Sequence, residues 1–163
     1  MGYKAAFFFF SCPFLLAAQN TKILNKALSW HEYLKAAKFP PGTCTIELVE
    51  LEKESTENFQ RTSLKKSFIN FRFCVKKESR KVVDNLLLRV LYHKISPPHF
   101  KPKSFDLRLR LLSRDLLIVK KAIRSNHIDY GLSLLRNTEK SLSQLENESP
   151  RRSGGKIVDY SEN

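Results

Sequence analysis

The ten residues SFINFRFCVK, at positions 67–76, decide how the chain is assigned to a fold class. Ile69, Phe71, Phe73 and Val75 alternate with more polar neighbours, and a period of two is the signature of a half-buried strand. Upstream, TIELVELE at 45–52 is rich in branched side chains with acids interleaved and reads the same way. Paired through the polar loop at 53–66, the two runs would set Glu against Arg or Lys across the ladder, which favours alignment. A two-stranded ribbon is marginal by itself, so helices must cover it.

Helical periodicity flanks the ribbon on both sides. From 21 to 38, Ile23, Ala27, Trp30 and Leu34 recur at steps of four, three and four, with Asn20 or Thr21 as a cap and Pro40, Pro41 and Gly42 as the stop. From 78 to 95, Val82, Leu86 and Val90 form one row and Val83, Leu87 and Leu91 the row beside it, the broad apolar face of a core helix. Ser96, Pro97, Pro98 and Pro102 make a rigid connector. The stretch 104–124 alternates at its start, but its length selects a helix. Phe105, Leu109, Leu112, Leu116, Val119 and Ile123 then fall on one line, with Ser104 as cap and Asp106 suiting the dipole. Asn126 reads as the cap of a last helix that runs to about Glu146 along Ile128, Leu132, Leu135 and Leu142, with Gly131 permitting close approach. The connecting turn is short, so these two helices are expected to be antiparallel.

The expected fold class is therefore α+β: a short antiparallel β ribbon covered by about four helices and ending in an antiparallel helix pair. Residues 19–147 read as a single basic α+β domain, residues 1–18 as a hydrophobic N-terminal segment and residues 148–163 as a flexible tail without apolar periodicity. A chain of 163 residues, 42% hydrophobic, can bury a core without staples.

The apolar run from Ala5 to Ala18 is broken mainly by Ser11 and Pro13 and is shorter than the roughly 20 residues a spanning helix requires. No transmembrane span is expected. Its length matches a signal-peptide core with a cut after Ala18; the alternative is a retained segment that packs on the domain or on a partner. The first sixty residues contain no Arg, which disfavours a mitochondrial presequence. A cut would remove Cys12 and leave Cys44 and Cys74, an even pair able to bridge in an oxidising compartment. There is no CxxC, and His31, His93, His99 and His127 match no zinc-binding spacing, so neither a metal site nor a cofactor is expected. The acceptor triplet at Asn147, Glu148 and Ser149 is followed by Pro150 and is not read as a glycosylation site.

The sequence contains no GxSxG, HExxH or P-loop, and its only adjacent glycines, Gly154 and Gly155, lie in the tail. The expectation is a protein that is not an enzyme. Charge is the more informative signal. The formal net charge is +13, yet between Arg61 and Arg124 eighteen Lys and Arg face four acids, so this stretch alone carries +14. A concentrated positive field attracts polyanions and says nothing about fold.

Within 104–124, Arg110, Arg114, Lys121 and Arg124 lie about 100° to 180° from the apolar line, a positive ridge opposite the core. A second cluster comprises Lys65, Lys66, Arg72, Lys76, Lys77, Arg80 and Lys81. Alternation puts Phe71 and Phe73 in the core row and leaves Phe68 on the charged face as the base-stacking candidate. The expected function is non-enzymatic binding of a polyanion, RNA within a larger assembly, through these eleven cations. One alternative is a secreted or lumenal interaction protein that binds acidic glycan or a protein partner. Another is a helical scaffold subunit whose partner covers Phe7 to Phe10 and the off-stripe residues Leu107, Leu111, Leu117 and Ile118.

Overall fold

A computed structural model describes residues 13–36, 39–57, 61–98 and 101–149. Among these the chain forms five helices and no strand: α1 (Pro13–Ala36), α2 (Thr45–Glu57), α3 (Arg61–Ile95), α4 (Phe105–Arg124) and α5 (Ile128–Asn147). The expected α+β fold is thus overturned, and both runs assigned to the ribbon are helical. Residues 1–12, with Phe7 to Phe10, and most of the expected tail, 150–163, lie outside the described residues. Residues 13–18 of the expected removable segment belong to α1.

The reason for the correction lies in α3. Phe71 and Val75 are fully buried, but Ile69 and Phe73, which a strand would place on the same face, are 54% and 70% exposed. The buried residues are Leu64, Phe71, Val75, Ser79, Val83, Leu86 and Val90, with half-buried Phe68 filling the step between the first two. Steps of three and four sustained over that length are a helical stripe. No Gly or Pro occurs anywhere between Arg61 and Ile95, so no turn signal ends the helix before the expected core helix at 78–95 begins. In α2, likewise, Leu48 and Leu51 are buried one turn apart while Ile46 and Val49 face solvent.

The chain divides into two compact units, with the boundary inside α3 between Val75 and Lys76. The first unit comprises α1 as far as Lys35, α2 and the start of α3. Trp30 of α1 stacks on Phe68 and Phe71 of α3, with ring centroids 5.6 and 6.4 Å apart. Cys44, just ahead of α2, and Cys74 of α3 are joined by a disulfide. The expected helix stop at Pro40, Pro41 and Gly42 is a turn in which Thr43 N–H donates to Pro40 O and Gly42 takes φ +81°. Left-handed φ is available to glycine without a steric cost.

The second unit contains residues 36–39 and everything from Lys76 onward. The stripes of α4 (Phe105, Leu109, Leu112, Leu116, Val119, Ile123) and α5 (Ile128, Leu132, Leu135, Leu142) are buried as the periodicity requires, and the two helices pack on one another. The turn between them departs from expectation. Asn126 is not the cap of α5 but the left-handed residue just past α4, at φ +64°. Its N–H donates to Ile123 O and the His127 N–H to Ala122 O, closing the C-terminus of α4 in a Schellman arrangement. Ser104 does occupy the N-cap of α4, although its hydroxyl makes no capping bond.

Candidate polyanion interface

The amphipathic repeat of α4 positions the ridge. Because its apolar line is buried, Arg110, Arg114, Lys121 and Arg124 project from the opposite side, and all four are exposed. Fourteen residues at 1.5 Å each separate the first from the last, a span of about 21 Å. Arg114 meets Asp115 at 3.4 Å, a solvent-exposed contact of little energetic weight. Arg110, Lys121 and Arg124 have no acidic partner among the described residues. The outer face of α4 is not purely basic, since Leu107, Leu111, Leu117 and Ile118 are exposed on it too.

The second cluster is divided by the unit boundary. Lys65 and Lys66 are exposed and Arg72 half-buried in the first unit. There Lys65, Lys22 and Lys26 rim a groove of about 400 Å³ floored by Ile23, Leu64 and Phe68. Phe68, expected on the charged face, lines this groove while its ring stacks on Trp30. In the second unit Lys76 Nζ donates to Asn126 Oδ1 at 2.9 Å and to Arg124 O at 3.4 Å. A cation at the carbonyl end of α4 complements the helix dipole. This bond sets Lys76 of α3 beside the last turn of α4, while Lys77 and Arg80 of α3 are exposed. Lys81 pairs with Glu78 at 2.8 Å.

One grouping went unseen in the sequence, and another was visible there only as the possible Cys44–Cys74 bridge. Arg89 and His93 of α3 both bind Glu146 of α5; Arg89 Nε donates to Oε1 at 3.3 Å, its terminal nitrogen to Oε2, and His93 Nε2 lies 2.9 Å from Oε1. Burial alone would raise the Glu146 pKa, but the bonds from His93 and Arg89 and their charge outweigh it and hold the carboxyl below its ordinary value. Further along, the bond from Arg108 is the main reason that the Glu148 carboxyl is also lowered. Partners more than fifty residues apart leave no periodic trace in a sequence. The other grouping is the Cys44–Cys74 pair with Glu47 beside it, for which cysteine parity was the one available signal.

No described helix is long and apolar enough to cross a membrane. No protein-family model, curated protein or solved structure matches this chain.

Proposed function

We propose that this protein is a non-enzymatic binding protein that holds a polyanion, namely RNA within a larger assembly, against the basic ridge of α4. The observation that carries this reading is the set of exposed cations Arg110, Lys121 and Arg124, which have no acidic partner among the described residues, while the charges closer to the helix contacts, Arg108 and Lys120, are paired with Glu148 and Asp84. The ridge extends about 21 Å, long enough for its cations to contact several phosphates along one strand. Arg and Lys that reach phosphates position the nucleic acid without reading its sequence, so the expected binding is weakly sequence-dependent.

The test is a titration of the full chain with generic single-stranded RNA across a salt series. Each neutralised phosphate releases counterions, so log affinity must fall steeply and linearly with log salt. A flat response, or no binding at low salt, sinks the proposal.

A second reading, a secreted or lumenal protein that binds acidic glycan, is favoured by the Cys44–Cys74 disulfide, because such bonds persist in oxidising compartments. The same ridge serves either polyanion, since guanidinium forks accept sulfate, carboxylate and phosphate geometry alike. Determining the N-terminus of the protein from its native host separates the two. A chain that starts near Gln19 supports secretion, and an intact Met1 or a start at Gly2 rejects cleavage.

A further inference from the structure

We infer that, once the Cys44–Cys74 bond is reduced, the two sulfurs and the Glu47 carboxylate form a binding site for a zinc ion. This inference does not rest on the polyanion reading, and its site shares no residue with the ridge.

The ligand atoms of Cys44, Glu47 and Cys74 all lie within 4.8 Å of one another. Local structure accounts for two of them. Cys44 stands immediately before α2 at φ +57°, and Leu48 N–H donates to its carbonyl, so Cys44 is the residue from which the helix starts. Glu47 follows three positions later in the first turn, and an i, i+3 spacing puts both side chains on one face. The third ligand arrives from α3, whose Cα at Cys74 is 5.8 Å from that of Cys44. Cys44 is buried, Cys74 and Glu47 are half-buried, and Glu47 makes no ion pair among the described residues. A half-buried carboxylate beside two sulfurs offers a third donor to a metal ion held by them.

The chemistry of the set selects zinc. Two thiolates and a carboxylate suit a borderline-soft divalent ion that accepts tetrahedral geometry, with bonds of about 2.3 Å to sulfur and 2.0–2.2 Å to oxygen. At those lengths two sulfurs on one zinc stand about 3.8 Å apart, so they must separate by less than about 2 Å from their bonded positions. Three protein ligands leave the fourth position to water.

The reaction balances simply. A dithiol reductant gives two electrons and two protons to the disulfide, leaves as its own disulfide, and yields two protein thiols. Zinc then binds the thiolates and releases both protons to solvent. The bond and the metal are mutually exclusive uses of the same sulfurs, so the site reports the redox state of the compartment that holds the protein.

Cobalt(II) is the probe that tests this. The full chain is reduced with a phosphine, freed of reductant under nitrogen and titrated with Co²⁺. One equivalent is expected to produce a thiolate-to-cobalt charge-transfer band with the visible bands of a tetrahedral ion, and Zn²⁺ is expected to abolish both. The oxidised chain should produce neither. Glu47→Gln keeps chain length and helix propensity; it is expected to retain wild-type helical circular dichroism and to bind at least tenfold more weakly, a loss at the lower end of that seen when supporting groups of metal sites are removed. No band with the reduced chain, an equal band with the oxidised chain, or unchanged affinity in Glu47→Gln overturns the site. Cys44→Ser adds an independent check if it folds, because a band that survives there has another origin.

Discussion

His93 Nε2 lies 2.9 Å from Glu146 Oε1, so the last turn of α3 is tied to the last turn of α5 through a carboxylate that also receives Arg89. Replacing Glu146 by Gln should cost about 1–3 kcal/mol, because Arg89 and His93 then lose a charged acceptor in a half-buried place. The pH dependence follows from the lowered pKa. Its contribution is fully present above the ordinary carboxyl value of 4.5 and is lost as pH falls through the lower folded-state value. Urea midpoints measured from neutral pH into that acid range should show a smaller pH dependence in Glu146→Gln. An equal acid dependence in both proteins would falsify the assignment.

Phe71 and Phe73 separate a helix from a strand at 67–76. Phe71→Ala should destabilise the protein by about 3–5 kcal/mol, the usual cost of deleting a buried ring. Phe73→Ala, at an exposed position, should change stability by less than about 0.5 kcal/mol. Comparable losses at both positions, measured by chemical denaturation, would indicate the alternating arrangement instead.

Gly131 allows α5 to approach α4. A Cβ there would sit 2.8 Å from Ile123 Cγ1 and 3.6 Å from Ala122 Cβ. Ile123 is fully buried and cannot swing aside, so the overpacking cost of about 1–3 kcal/mol should exceed the gain in helix propensity of about 1 kcal/mol. Thermal unfolding of Gly131→Ala is expected at or below the wild-type midpoint; a clear rise would show that the helices yield.

Replacing Arg110, Arg114, Lys121 and Arg124 together by Gln should leave folding nearly intact, since exposed charges contribute little to stability and Gln preserves helix propensity. Loss of four phosphate contacts should reduce the salt slope of single-stranded RNA binding by about 3 units. A folded variant with an unchanged slope would reduce the ridge to a solvated face. An unfolded one would mean that the side-chain stems support the core.

Reduction of Cys44–Cys74 in metal-free buffer frees a loop closed across 30 residues, for which chain entropy gives about 3–4 kcal/mol of lost stability. Denaturation of oxidised and reduced chains measures the difference directly. Equal midpoints would show that core packing holds the first unit without the bond.

The sequence by itself determined the elements whose stability is local. The stripes of α4 and α5, the proline-bounded turn after α1 and the outward position of the α4 ridge all follow from a 3.6-residue period, which any stretch of about twenty residues displays in full. It could not determine the first half of α3, although the helix at 78–95 was legible. Phe71 and Val75 are four apart, a spacing shared by a strand face and a helix face, so a ten-residue window cannot distinguish them. Only the burial of one continuous stripe from Leu64 to Val90, with Ile69 and Phe73 left in solvent, decides for the helix. Tertiary structure also decided the role of Asn126, whose left-handed backbone ends α4 where its side chain had suggested a cap for α5. The meeting of Arg89 and His93 with Glu146, and of Cys44 and Glu47 with Cys74, belongs to the same class: each joins residues far apart in the chain, and packing alone brings them within reach.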